Sequence, residues 1–419
     1  MKKYIIFGHL QGLGGGQIYL SNKVRYLEKR GWTVEVFAET TDNIKLDNIK
    51  KFSGNNIPEL KYPPHCFSKK RVEEIVQKII DKIDSTNTII LESNAPQYAF
   101  WGEIVAERLG AKHLAYILGA FYTHRTSSEL DYFKYKLKRK EIAGISKNSL
   151  QDLFGSYMDL DEDHKMFLNA CCTNSVSEIS NPIIDKIEKK EFVIGHVGRL
   201  GKPYILGMID EIITFAKRYP NKYIQLILIG GVEGEIAKKT MIQNKFINIK
   251  NVELIFTDEL FPIPKSVFKK TDICIGSSGS AIICAREKVP TILVKDTSPV
   301  PIGIIGYTLI KEPYSQYAPY EKYKGSMAQL IEDILIKNCC ENMSYFPPVN
   351  IDDDMISEYD KHMDFVSRMP DDKCYYDVLS IKPHGRKIIL ATILRLFNIP
   401  NANKVISSLN NVQKSKILK

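Results

Sequence analysis

The sequence predicts an α/β protein built from two doubly wound parallel-sheet domains. Three observations carry that prediction. Short apolar runs alternate with helix-length stretches through the first half of the chain, and the same alternation starts again at "EFVIGHVGRL". The 419 residues also exceed what one hydrophobic core of about 250–300 residues can serve. Strands alternating with helices pair in parallel and are covered by helices on both faces.

In the first half, strands are expected near residues 4–7, 33–37, 88–91, 113–118 and 141–145, and helices near 17–30, 71–84, 97–109 and 128–140. In the second half the strands are "EFVIGHVGRL", "YIQLILIGG", "VELIFTDE", "TDICIGSSGS" and "PTILVKD", with a helix at "MIDEIITFAKRYP". The short charged stretch "NPIIDKIEKKE" between the halves reads as a linker. The expected division is therefore a first domain at 1–182, a linker at 183–191, a second domain at 192–340 and an extension at 341–419 carrying a basic amphipathic helix. Open α/β sheets bind ligands outside the carboxyl ends of their strands, so two such sheets facing one cleft predict a ligand that touches both.

Composition narrows the function classes. With 44% hydrophobic and 26% charged residues the chain is globular, not disordered. No apolar run approaches the ~18 residues of a membrane span, and "MKKYIIFGHLQG" lacks a signal peptide's apolar region, so a cytoplasmic location is expected. Eight cysteines, with no CxxC and no Cys/His cluster, are poor material for zinc or a disulfide framework. Residues 379–419 hold eight Lys and Arg and no acid, which leaves about +1 of the net +9 on the rest of the chain. A basic tail on a neutral body points to one anionic surface, not to nucleic acid coating the molecule.

The glycine knot "GLGGGQ" follows the first strand and opens a helix, a place where bare N–H groups and the helix dipole favour phosphate. The nicotinamide fingerprint fits poorly, because Gln17 or Tyr19 stands where its third glycine belongs. Glu39, however, closes the second strand where a dehydrogenase holds ribose, and Tyr132 with Lys136 has the Y-x-x-x-K spacing of short-chain dehydrogenases. Such an enzyme would leave the second sheet unexplained. No G-x-x-x-x-G-K-[ST] occurs at the turn, which disfavours a nucleoside triphosphatase.

Three stretches, "GGGQIYLSNKVRYLEKRGWTVEVF", "IGHVGRLGKPYILGMIDEIITFAKRYP" and "VELIFTDELFPIPKSVFKKTDICIGSSGSAIICAREKVPTILV", resemble glycosyltransferases of the GT-B fold, most nearly family 4, in order and spacing over about residues 1–340. The resemblance implies two Rossmann-like domains facing a central cleft, the first binding the acceptor and the second a UDP- or GDP-type sugar donor. It implies no metal and no other cofactor. In that scheme Arg199 and Lys202 stabilise the departing diphosphate, and the bend around Ser278, Gly279 and Ser280 cradles it. Gly14, Gly15 and Gly16 meet the donor from the first domain, and Gly230 and Gly231 mark either a donor approach or a sharp strand exit.

The chain departs from the family at two places. Counting back from Pro290, the two glutamates of retaining members are replaced by Ile275 and Ile283, with Glu287 one turn further on. The histidine-glycine pair ending the fourth strand is replaced by Leu118 and Gly119. Retention or inversion is therefore open. Inversion needs a general base, for which the strand-end candidates are Glu92 and His124. Asp352–Asp354 has the look of a metal-binding D-x-D but falls in what reads as an acidic linker. Residues 132–140 and 385–399 interleave apolar and basic side chains, as helices on anionic membranes do.

The expected function is transfer of a hexose from a nucleotide-sugar to a glycan or lipid-linked acceptor in cell-surface polysaccharide biosynthesis, with the enzyme peripheral on the inner face of the membrane. The alternatives are a nucleotide-sugar epimerase of the same fold, a nicotinamide-dependent sugar-modifying oxidoreductase and a non-catalytic binding relative. Nucleic acid is not an expected partner.

Overall fold

A computed structural model describes residues 2–83, 88–119, 126–154, 166–172, 174–231, 236–295, 297–309, 325–341 and 351–417. The chain forms two compact units, Met1–Cys171 together with Asp352–Lys419, and Cys172–Ile351.

The first unit opens with β1 (Lys2–Phe7), α1 (Gly15–Lys29), β2 (Trp32–Phe37), α2 (Lys69–Ile80), β3 (Thr88–Ser93), α3 (Pro96–Leu109), β4 (Lys112–Ile117), α4 (Ser127–Lys138), β5 (Ile142–Gly144) and α5 (Lys147–Phe154). The strands pair in parallel in the order β2-β1-β3-β4-β5. Tyr4, Ile5, Ile6 and Phe7 are all fully buried, as a strand covered on both faces requires. The helices form where an apolar stripe meets a cap. In α2, Ser68 caps the N-terminus and Val72, Ile75, Val76 and Ile79 face inward. In α4, Thr126 and Glu129 make a reciprocal capping box. Three 3₁₀ turns between Asp47 and Cys66 fill the connection from β2 to α2, which the apolar periodicity does not reveal.

The second unit comprises β6 (Val176–Ser177), α6 (Pro182–Asp185), β7 (Phe192–Val197), α7 (Ile205–Arg218), β8 (Ile224–Ile229), α8 (Ile236–Lys245), β9 (Val252–Asp258), β10 (Ile263–Pro264), α9 (Lys265–Lys270), β11 (Ile273–Gly276), α10 (Ser278–Arg286), β12 (Thr291–Lys295), β13 (Ser298–Ile305) and α11 (Met327–Leu335). Its main sheet runs β13-β12-β11-β7-β8-β9. All neighbours are parallel except β13, which pairs antiparallel with β12 at the edge. The edge position accommodates Pro299 and Pro301, neither of which can donate to a ladder.

The chain then returns to the first unit with α12 (Ile351–Ser367), α13 (Arg386–Leu396) and α14 (Ile399–Ile417). Three expectations are corrected here. Asp352–Asp354 lies in the first turn of α12, not in a linker. Residues 352–419 are not a separate extension: Ala391, Ile393, Leu394, Ile399 and Ala402 belong to the first unit's core, alongside Leu60, Cys66 and Val72. The division between units falls at Cys171/Cys172, ahead of the expected linker. No helix among the described residues is long and apolar enough to cross a membrane.

Candidate anion cradle and the rim of the first sheet

In the second unit the chain runs from β7 outward through β8 to β9, then crosses back to β11 on the other side of β7. The switch between β7 and β11 is where an open sheet offers a ligand crevice. Gly198 and Arg199 leave β7 there, and Lys202 stands in the turn that enters α7. Gly198 N–H donates to Ile229 O at 2.8 Å and Leu200 N–H to Gly231 O at 3.2 Å, which laces the β7 exit to the β8 exit at Gly230 and Gly231. The lacing is tight: a Cβ on Gly230 would lie 1.9 Å from Gly198 O, and one on Gly231 would lie 2.4 Å from Glu259 Oε1.

On the other side of the switch, β11 ends at Gly276 and Ser277 precedes α10 in extended backbone. Ser277 does not cap the helix with its side chain; its Oγ instead accepts from Lys202 Nζ at 2.7 Å. Ser278 has φ +51°, a left-handed conformation that costs a non-glycine residue on the order of 1–2 kcal/mol and tends to occur at ligand turns. Arg199 is exposed and makes no ion pair or side-chain hydrogen bond with any described residue. One ammonium fixed on the bend, one guanidinium open to solvent and the amino end of a nine-residue helix therefore share one rim. That combination suits an anion carrying several oxygens.

A residue not singled out from the sequence forms the floor. His196 in β7 is fully buried, and its Nδ1–H donates to Ile275 O at 2.9 Å. Its Nε2 thus carries the lone pair and has no hydrogen-bond partner among the described residues. Burial pushes the imidazole down to about 4, so it is neutral at physiological pH. A Cβ on Gly198 would lie 3.5 Å from Nε2 and 3.6 Å from Ser280 Oγ, so glycine there leaves a slot between an acceptor and a hydroxyl. Gly279 and Ser280 continue the bend into α10. Ile275 and Ile283, where retaining relatives carry carboxylates, are both core residues at 1% exposure.

In the first unit the switch lies between β1 and β3. Gly14 is the N-cap of α1 in extended backbone, and Gly15 and Gly16 form its first turn. A Cβ on Gly16 would meet nothing within 4 Å. Glu92, expected as a base, is instead a structural carboxylate. It is fully buried and accepts from Tyr4 OH at 2.7 Å, Tyr19 OH at 2.6 Å and Asn94 Nδ2 at 2.7 Å, leaving no path to an acceptor hydroxyl. His124 lies outside the described residues.

The rim holds another candidate base. His9, just beyond β1, is exposed and donates through Nδ1–H to Glu39 Oε1 at 2.8 Å, while Tyr98 OH donates to Glu39 Oε2. The carboxylate holds the tautomer that presents Nε2 as a proton acceptor. Glu39 is therefore engaged with His9 and Tyr98. Sequence spacing could not pair residues thirty apart; the parallel register of β1 and β2 brings their carboxyl ends together.

The Y-x-x-x-K pair is not a cofactor site. Tyr132 OH donates to Ala99 O at 2.8 Å, and Lys136 Nζ is buried against Glu103 and Glu141. Tyr132, Phe133 and Lys136 all face the core, so the aromatic half of the expected 132–140 membrane face points inward. A cavity of about 520 Å³ opens at the amino ends of the same sheet, beside Trp32, Thr88 and Lys112, at the opposite end of the strands from the β1–β3 switch. Lys112 there is paired with Asp371 at 2.8 Å.

No protein-family model matches the chain, and no curated protein matches its sequence. Solved structures do match in fold. A glycosyltransferase from Rickettsia africae superposes with a TM-score of 0.58 at 14% identity, covering 88% of this chain and 100% of that one. A putative UDP-N-acetylglucosamine 2-epimerase from Listeria monocytogenes gives 0.51 at 13% identity, covering 87% and 97%. The Anabaena protein HepE, solved in complex with UDP and glucose, gives 0.51 at 14% identity, covering 88% and 100%. The fold is thus of the GT-B type, the architecture these glycosyltransferases and epimerases share.

Proposed function

We propose that the protein is a glycosyltransferase that moves a hexose from a UDP- or GDP-type sugar to a glycan or lipid-linked acceptor in cell-surface polysaccharide biosynthesis. The observation that carries this is the cationic cradle at the β7–β11 switch, where Lys202 is fixed on Ser277 and Arg199 stands unpaired among the described residues. A leaving nucleoside diphosphate develops negative charge, and preorganised cations lower the barrier to its departure. The chemistry needs no metal and no further cofactor. The partners are the nucleotide-sugar, the acceptor and the anionic inner surface of the membrane on which a lipid-linked acceptor sits, which places the enzyme on the cytoplasmic side.

Purified protein should gain about 5–10 °C in Tm with UDP or GDP near 100-fold over Kd, and nothing with NAD. Arg199→Ala should weaken that nucleotide about 100-fold, the loss expected of one charge-assisted contact. Stabilisation by NAD alone would make the oxidoreductase the better account, and epimerised sugar without any acceptor would make it an epimerase.

His9 replaces Glu92 as the base in this scheme. An acceptor hydroxyl gives its proton to His9 Nε2 as its oxygen bonds to the anomeric carbon; the bond from that carbon to the diphosphate oxygen breaks, and the electron pair leaves with the nucleotide. The product is inverted. His9→Ala should lower turnover by about 10²–10⁴ while leaving the nucleotide-induced rise in Tm intact. Equal loss of nucleotide binding would remove His9 from the role.

A further inference from the structure

The tail helix α13 has two apolar faces, and only one is used by the fold. Ala391, Ile393 and Leu394 enter the first unit's core. Lys387 ties the same side down, donating from Nζ to both carboxylate oxygens of buried Glu129 at 2.5 Å. On the outer side Ile388 is 54% exposed, Ile389 58% and Leu396 71%, and Phe397, just past the helix end, is 45% exposed. At 3.6 residues per turn, Ile388, Thr392, Leu396 and Ile389 fall within a stripe about 100° wide. Single exposed apolar residues are ordinary, but four of the thirteen large exposed ones among the described residues fall within residues 388–397.

Charge decides what covers this stripe. Lys382 ahead of α13, Arg386 and Arg395 on it and Lys404 in α14 are all exposed, and none makes an ion pair with a described residue. No acid occurs from 379 to 419, so this stretch of chain carries only cations through the end of α14. A second copy of the chain docked face to face would set these cations against their own images. Nucleic acid would leave the four large apolar side chains against phosphate. We propose that the outer face of α13 is a membrane-docking surface, lying in the plane of an anionic bilayer with Ile388, Ile389, Leu396 and Phe397 entering the headgroup–acyl boundary and the four cations holding anionic headgroups. A helix of eleven residues is about 16 Å long, too short to span and suited to lying flat. This surface deepens the membrane partner proposed above and does not rest on the transfer chemistry.

Full-length protein should sediment with phosphatidylcholine vesicles containing 30% phosphatidylglycerol, not with pure phosphatidylcholine, and should be released by 0.5 M salt. Arg386→Gln with Arg395→Gln should weaken binding about 30-fold. Ile389→Ser with Leu396→Ser should weaken it at least tenfold with no change in Tm, because both side chains are on the surface. Wild-type binding carried equally by the apolar variant, or absent from anionic vesicles, overturns the proposal. So does a concentration-dependent dimer that the same substitutions dissolve. Neither failure touches the nucleotide-binding result, which is read without vesicles.

Discussion

Lys136→Met is expected to destabilise the first unit by about 3–5 kcal/mol, the cost of removing one partner from a buried ion pair. Lys136 is 1% exposed, and its Nζ donates to Glu103 Oε2 at 2.9 Å, His113 O at 3.0 Å and Glu141 Oε2 at 2.6 Å. Methionine fills similar volume but leaves the two carboxylates with one cation fewer. The effect should be large because Glu103 joins several elements: it also accepts from His113 Nδ1 at 2.7 Å and from Tyr376 N–H at 2.9 Å. Burial alone would raise the Glu103 carboxyl; Lys136, His113 and the Tyr376 amide override it and hold it down to about 2. Because that value is depressed relative to the unfolded chain, the contribution to stability is present above about pH 4.5 and is lost as pH falls toward 2. By linkage it amounts to about 3 kcal/mol. Wild type should therefore lose stability steeply through that window in urea titrations, and Lys136→Met should show a flatter profile there. A variant as stable as wild type at pH 7 would mean that Lys136 is dispensable to the network.

Lys136 also shows why parts of the fold were legible in the sequence and parts of the site were not. Strands such as "KYIIF" and "IQLILI" are apolar on both faces, so each announces a buried parallel strand without reference to the rest of the chain. Pairings between distant segments carry no such local signal. Lys136 reads as one lysine in a lysine-dense helix, and only its position over Glu103 makes it internal. His9 and Glu39 meet through strand register, and Glu92 is withdrawn from solvent by Tyr4 and Tyr19, residues remote in sequence. The tail illustrates a second limit. Residues 385–399 read as one basic amphipathic helix, but periodicity cannot tell which of two apolar arcs meets the core. The residues around Arg199, Lys202 and Ser278 were legible because a strand exit and a helix start are local features, whereas His196 was hidden inside an ordinary apolar strand.

Gly230→Ala should abolish nucleotide binding within the assayable range, a loss of at least about 100-fold, and lower the stability of the second unit by about 1–3 kcal/mol, as overpacking does. The added methyl would lie 1.9 Å from Gly198 O and 2.7 Å from Gly198 C, both main-chain atoms, so no side-chain rotation relieves it. Gly198 must move, and it is bonded through N–H to Ile229 O at 2.8 Å in the neighbouring strand β8. Arg199 moves with it, and Lys202, whose N–H donates to Arg199 O at 3.3 Å, is drawn from Ser277. A displacement of about an ångström is enough to cost a charge-assisted site most of its affinity. Gly16→Ala supplies the contrast. Its methyl would meet nothing within 4 Å, and Gly16 lies in the first turn of α1, so the exchange should be neutral or stabilising by up to about 1 kcal/mol. If the two substitutions cost the same stability, the close approach of Gly230 to Gly198 is not what constrains the strand exit. If Gly230→Ala leaves UDP and GDP binding unchanged, the packing of one strand exit on another is not what positions Arg199.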